Sequence, residues 1–292
     1  NLGSILIKTK KIQEAINLLQ TAIKIKPTYK EALTNLGVAY LELKDYETAL
    51  KYFNKVLDRY PFYVKAISQK LFLMRKICNW NDDKFLEKNL NIINENNIDV
   101  TPWQLLSLDD EPEAEFLRAK KYGNQFNFKD FKIFHQNSKI RLAYFTPDFY
   151  DHAGMINMEG IFKNHDRNKF EIFAFDYGNY FQDTTHHRIK KYFDHFFYIE
   201  EMSDNEISKI TKEYKIDIVI HRNGYSQNSR NSLFAKKIAP LQISFLGFPG
   251  TMGVKFIDYI IADKVVIPKE NNKFFSEKII FLPNTYYPTN NE

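Results

Sequence analysis

Two kinds of hydrophobic periodicity divide the chain. Near the start, apolar residues recur three and four positions apart, as in Ala15, Leu19, Ala22 and again in Ala49, Phe53, Val56, the spacing of one helix face. From Lys139 onward, short continuous apolar runs alternate with amphipathic segments, the pattern of buried strands separated by helices. Between them lies a stretch with helical segments and no shared period.

The first part repeats on itself. Asn1-Leu2-Gly3 returns as Asn35-Leu36-Gly37, Ala15 as Ala49, Leu19 as Phe53, Ala22 as Val56 and Pro27 as Pro61, always 34 residues on. That is the period of the tetratricopeptide repeat. Gly3 and Gly37 allow two helices to approach closely, and Pro27 and Pro61 end the second helix of each pair. Ala32 and Ala66 keep the offset, so a third unit begins near Tyr63; Leu71 stands where its glycine is expected, the degeneracy of a cap onto the next domain. Such units bury little alone, which predicts further repeats before Asn1. An array of this kind presents a groove to protein partners; a plain spacer is the alternative.

From Ile77 to Ser138 the 34-residue period is lost. Cys78 to Asp82 breaks the helix pattern, Lys84 to Asn94 resumes it, Thr101-Pro102 opens a short segment, and Glu113 to Tyr122 reads as one more helix. The acidic pair Asp109-Asp110, followed by Glu111, reads as charge complementing that helix's N-terminus rather than as a metal site, because no histidine or further carboxylate is placed nearby with ligand spacing. Beyond it, strands are predicted at Ile140–Thr146, Phe170–Asp176, Phe196–Ile199, Ile216–His221, Leu241–Leu246, Tyr259–Ala262 and Lys278–Leu282. Helices are predicted at Met155–Asn164, Thr185–Phe193, Asp204–Lys215 and Arg230–Lys237, with Ser203 and Glu206 forming a capping box for the third. The alternation specifies a parallel, doubly wound sheet.

Composition narrows the picture further. The 292 residues make room for two domains at about 150 residues each. A hydrophobic content of 44% supports a real core. The net charge of +5 is spread along helical faces, so a solvated surface is favoured over nucleic-acid binding. The single cysteine, Cys78, excludes an internal disulfide framework and fits a reducing compartment, so a cytoplasmic location is expected. No run of about 18 apolar residues exists to span a membrane. The chain opens inside a helix pattern without a methionine, as a piece of a longer protein would.

In doubly wound sheets ligands bind beyond the C-terminal strand ends, and the informative residues lie there. Thr146-Pro147-Asp148 leads to His152 at the start of a helix, where it can act as acid, base or hydrogen-bond donor, or simply cap the helix. His221-Arg222-Asn223-Gly224-Tyr225 follows the fourth strand and reads first as a turn. Gly247 to Gly253 forms a glycine-rich turn after the fifth; its GxxGxxG spacing ordinarily signals positive-φ positions. No Walker loop, GxSxG elbow, HExxH or paired CxxC is present. His186-His187 is discounted as a metal pair because adjacent helix positions point apart.

Together the repeat array, Cys78-Asn-Trp-Asn-Asp82, Phe145-Thr-Pro-Asp-Phe-Tyr-Asp-His152, Asn223-Gly-Tyr225, Ala239-Pro-Leu-Gln242, Leu246-Gly-Phe-Pro-Gly-Thr-Met-Gly253, Asp258-Tyr-Ile-Ile-Ala-Asp263 and Ser276-Glu-Lys278 resemble the tetratricopeptide-containing protein O-GlcNAc transferases, including bacterial and SPINDLY-like members. The resemblance implies an α plus α/β chain: repeats over 1–76, a helical connector over 77–138, and over 139–292 the Rossmann-like N-terminal lobe of a B-type glycosyltransferase. It implies metal-independent, inverting transfer of N-acetylglucosamine from UDP-GlcNAc to serine or threonine of proteins guided by the repeat groove, with no cofactor, nucleic acid or membrane partner. His152 matches the family's active-site histidine; Asp148, Asn223, Tyr225, Gly247, Pro249, Gly250 and Thr251 are the substrate-binding candidates, and no residue is assigned to a metal. Ala153, His221-Arg222 and Asn284 depart from the family pattern and bear on substrate more than on fold. A second lobe, holding most nucleotide contacts and a catalytic lysine, is expected after Glu292, so this stretch alone is expected to be inactive. A non-catalytic docking module, or the same fold using another sugar (glucose to asparagine, fucose to serine or threonine), remains the alternative.

Overall fold

The structure, a computed structural model, describes residues 2–81, 83–96, 98–128, 136–178 and 182–289; Asn1 of the first repeat and Asp82 of the Cys78–Asp82 segment lie outside them. The chain divides into two compact units, Asn1–Tyr122 and Gly123–Glu292.

The first unit is helical: α1 (Leu2–Lys8), α2 (Ile12–Ile25), α3 (Lys30–Glu42), α4 (Tyr46–Arg59), α5 (Val64–Lys76), α6 (Asp83–Asn96), α7 (Pro102–Leu105) and α8 (Pro112–Gly123). α2 and α4 begin 34 residues apart, as do α3 and α5. The repeat glycines act by close approach: a Cβ on Gly3 would lie 2.7 Å from Leu19, and one on Gly37 2.5 Å from the Phe53 ring. The backbone carries the period further than the side chains do. Lys10, Lys44 and Cys78, again 34 apart, all take left-handed conformations (φ 60°, 62° and 54°) at the turns between paired helices. α6 then packs Leu86 and Ile93 into a cluster with Ile67 and Leu71 of α5, completing a third pair. Thr101 caps α7 through a capping box with Gln104. Asp109, in the acidic run that precedes α8, has a specific partner within that helix. It takes both ends of the Arg118 guanidinium at 2.7 and 2.8 Å, with Arg118 only 1% exposed. A buried arginine needs a paired anion, and nine residues back is where one stands.

The second unit runs β1 (Ile140–Thr146), α9 (Ala153–Asn164), β2 (Phe170–Asp176), α10 (Thr184–Lys190), β3 (His195–Tyr198), α11 (Asp204–Glu213), β4 (Ile218–His221), α12 (Asn231–Phe234), β5 (Leu241–Ser244), β6 (Tyr259–Ala262), a 3₁₀ turn (Lys269–Phe274) and β7 (Lys278–Phe281). Its seven strands are all parallel in the order β3-β2-β1-β4-β5-β6-β7. The predicted strands all form, each within two residues of its expected ends, and Ser203 and Glu206 make the expected capping box on α11. The helix expected over Arg230–Lys237 shortens to one turn, because Lys237 swings to φ 49° and its ammonium is held by Asp258 at 2.6 and 2.8 Å. Strand order reverses between β1 and β4, and the crevice beyond their C-terminal ends is where such a sheet binds ligands.

Candidate functional site

Alternate residues of a strand share a face, and on the face covered by α9 the layers are apolar until the last. Leu142, Ile172 and Ile218 align across β1, β2 and β4, then Tyr144, Ala174 and Ile220. The next layer is polar: Thr146 pairs with Asp176, and Arg222 follows His221, the partner of Phe145, on the other side. The change falls at the strand ends on both sides of the switch point.

Asp148, 7% exposed, gathers this layer. Its Oδ2 accepts from the Arg222 guanidinium and from Asn223 Nδ2 at 3.1 Å. Thr146 Oγ1 donates to Asn223 Oδ1 at 3.0 Å and accepts the Asp148 backbone N–H at 3.2 Å. Arg222 is 6% exposed, and its Nε has no hydrogen-bond partner among the described residues. The guanidinium lies against the first turn of α9, where a Cβ on Gly154 would fall 1.5 Å from Nη2. Only glycine at that position admits this arginine.

His152 is the N-cap of α9, half-buried, with Nδ1 accepting the Gly154 N–H at 3.0 Å. In the neutral ring the proton then sits on Nε2, so the capping residue keeps a free donor. His152 as a helix cap and His152 as a functional donor are therefore the same geometry.

Asp176 is 5% exposed, and burial, reinforced by the Asp148 charge, pushes its carboxyl up to about 7 against the opposing pull of the Gly178 N–H at 2.9 Å. A carboxyl that titrates near neutrality beside a second one is a usual mark of a functional crevice.

The turn after β5 leaves Pro249 exposed and Gly247 and Gly250 half-buried. The spacing of its glycines predicts positive φ, and only Gly253 shows it, at 63°; Leu246 instead adopts φ 81°. Gly247 is required by contact, since a Cβ there would meet the Arg222 carbonyl at 2.5 Å, and its N–H donates to that carbonyl at 2.9 Å. Thr251, expected to touch substrate, is 5% exposed and points inward to Glu277. Tyr225 is likewise fully buried, its hydroxyl donating to the Met252 carbonyl at 2.6 Å, so it supports the turn from behind. Both side chains are drawn in because the irregular turn needs partners for its backbone.

The fold thus brings Asp148, Asn223 and the His152 cap together around Arg222, and turns Tyr225 and Thr251 inward. Asp176 joins the site from outside the sequence motifs, and Glu277 from the Ser276–Lys278 motif, where it is not among the expected site residues; the switch from apolar to polar on one strand face, at Asp176, is the signal that identifies the first. His186 uses Nδ1 on the Phe149 carbonyl (2.7 Å) and Nε2 on the Tyr198 hydroxyl (2.9 Å), which leaves neither nitrogen for a metal. Among the described residues no group of three or more metal-binding side chains is gathered, and no helix is long and apolar enough to cross a membrane.

The chain is similar to known proteins over both units. Residues 119–291 match glycosyl transferase family 41, and residues 6–71 match the tetratricopeptide repeat. A probable UDP-N-acetylglucosamine–peptide N-acetylglucosaminyltransferase of Arabidopsis thaliana is 36% identical over 149 residues, 51% of this chain and 15% of that protein. The corresponding transferase of Caenorhabditis elegans is 35% identical over 153 residues, 51% of this chain and 13% of its own. The matched stretch therefore spans about a seventh of these relatives. A mutant of the Thermobaculum terrenum O-GlcNAc transferase shares the fold with a TM-score of 0.72 at 17% identity, over 98% of this chain and 57% of that one.

Proposed function

The chain belongs to glycosyl transferase family 41, and on that premise we propose that it is part of a protein glycosyltransferase moving N-acetylglucosamine from UDP-GlcNAc to serine or threonine hydroxyls of acceptor proteins. The observation that carries the reading is the polar layer at the switch point, Asp148, Arg222 and Asn223 beside the His152 cap, lying inside the family match. In this reading the Nε2–H of His152 donates to a sugar or acceptor oxygen and orients it; Asp148 and Asn223 hold sugar or acceptor hydroxyls, and Gly247, Pro249 and Gly250 line the crevice. Transfer is inverting and metal-independent, no cofactor is required, and the repeat array guides the acceptor polypeptide. Likeness to two UDP-N-acetylglucosamine–peptide transferases supports both the donor and the acceptor class.

The test is calorimetric titration of UDP-GlcNAc into the full-length gene product, beside a transfer assay on wild type and His152→Ala. Wild type binds and transfers, while His152→Ala binds with a similar Kd and loses roughly 10²- to 10³-fold in kcat, as when one positioned donor is removed. Failure of wild type to bind or transfer with UDP-GlcNAc, UDP-glucose and GDP-fucose alike would overturn the reading in favour of a docking module. Transfer with one of the other two donors would keep the reaction class and change the sugar.

A further inference from the structure

The turn that lines the proposed crevice has no regular secondary structure, and behind it, beside Tyr225, lies a buried carboxyl group. Glu277, just before β7, is 5% exposed and forms no ion pair among the described residues. Its Oε1 accepts the Met252 N–H at 2.6 Å; its Oε2 accepts the Thr251 hydroxyl at 2.7 Å and the Ser276 hydroxyl at 3.1 Å. Thr251 Oγ1 in turn accepts the N–H groups of Gly253 at 3.1 Å and Ser276 at 3.3 Å. Both lone pairs of that hydroxyl are therefore committed, and its one hydrogen goes to Glu277 Oε2 at 2.7 Å, much nearer than the Ser276 hydroxyl at 3.4 Å. Three donors converge on the carboxyl group, and neither Met252 nor Thr251 is free to accept a hydrogen from it.

We propose that Glu277 is a positioning residue for the transfer reaction: as an ionised carboxylate it clasps Thr251 and Met252, and through them holds Gly247 to Gly250 in the conformation that meets the substrate. The inference rests on the function proposed above for that turn. A proton on Glu277 removes the charge that strengthens both bonds to the turn, and neither partner there can take that hydrogen. Burial raises the carboxyl above the usual glutamate range, which brings that protonation closer to neutral pH. Glu277→Gln keeps the volume and reproduces the uncharged state, with an amide nitrogen that can only donate.

The experiment uses the full-length protein with Glu277→Gln, Thr251→Val and the double variant. It reads steady-state transfer against pH and amide-exchange protection at Met252 and Gly253. Each single variant is expected to lose about 10- to 100-fold in kcat/KM, the loss of one charge-assisted bond. The double variant loses no more than either single one, because both break the same clasp. Wild-type kcat/KM falls on the acid side, and Glu277→Gln lacks that fall. Protection at Met252 drops in Glu277→Gln at every pH and in wild type only in acid. Should Glu277→Gln lower the melting temperature while kcat/KM and the pH profile stay at wild-type values, the residue is only structural and the proposal is overturned. Additive losses, or unchanged protection at Met252, overturn it equally. If Glu277→Gln does not fold, Thr251→Val decides through the same readouts. If wild type transfers nothing, the function proposed above has failed, and the exchange data alone then decide whether the clasp exists.

Discussion

Two buried ionisable side chains beside the switch point pull stability in opposite directions with pH. His221 is fully buried, stacked on Phe234 at 3.8 Å, with Nε2 bonded to Asn231 Oδ1 at 2.7 Å. Burial pushes it down to about 4 from 6.5, against the pull of the Asn231 bond. As pH falls from 6.5 toward 4 the unfolded chain takes up a proton that the native one refuses, so stability declines, by about 3 kcal/mol. Asp176 behaves oppositely: between 3.8 and about 7 the native chain keeps a proton the unfolded one has released, so stability declines as pH rises, by about 4 kcal/mol. Asp176→Asn, which can still accept the Gly178 N–H, should therefore raise chemical-denaturation stability at pH 8 by up to about 4 kcal/mol and change nothing below pH 4. His221→Gln should sit below wild type at pH 8 and draw closer by about 3 kcal/mol as the pH falls to 4. Parallel pH curves for wild type and either variant would contradict the assignment. A residue kept at such cost at a strand end is also the one worth assaying for turnover.

At the level of elements, the paired helices of the repeat depend on backbone approach. Gly37→Val in α3 would drive a side chain into the Phe53 ring of α4, which lies 2.5 Å from where a Cβ would stand. The substitution should cost about 1–3 kcal/mol, seen as a lower melting temperature with helical content retained at low temperature. No loss of stability would show that α3 and α4 can separate freely. The period that makes these helices legible comes from small residues recurring at contact points, and it fades where contacts change: Leu71 replaces the third glycine, yet Cys78 keeps the left-handed turn and α6 still pairs with α5. In the sheet, strand positions are readable from apolar runs because parallel strands are buried on both faces. Helix ends are less so. α12 stops early through the Lys237–Asp258 pair, a contact across 21 positions that local propensity does not encode. The glycine-rich turn falls where its motif places it, but its glycines serve mainly close approach, and Leu246 carries a positive φ in their stead.

For the molecule as a whole, Gly37 packs against Phe53 inside the first unit, and Asp176 closes the polar layer of the second. Gly37→Val and Asp176→Asn act on sites with no common partner among the described residues, so their effects on unfolding free energy should add within about 0.5 kcal/mol in the double variant; a larger deviation would mean that the two sites are energetically coupled. The order of the parts, the 34-residue repeat, the seven strands and the segment from Asp148 to His152 were all present in the sequence, because each rests on local periodicity or on short contiguous motifs. Strand order was not. Only the tertiary structure placed β1 beside β4, which set Arg222 on Asp148 across 74 positions, and lined up β5, β6 and β7, which set Glu277 behind Thr251 across 26. It also turned Tyr225 and Thr251 inward. Those pairings satisfy buried charges and backbone groups, a requirement that exists only once the chain has closed around them.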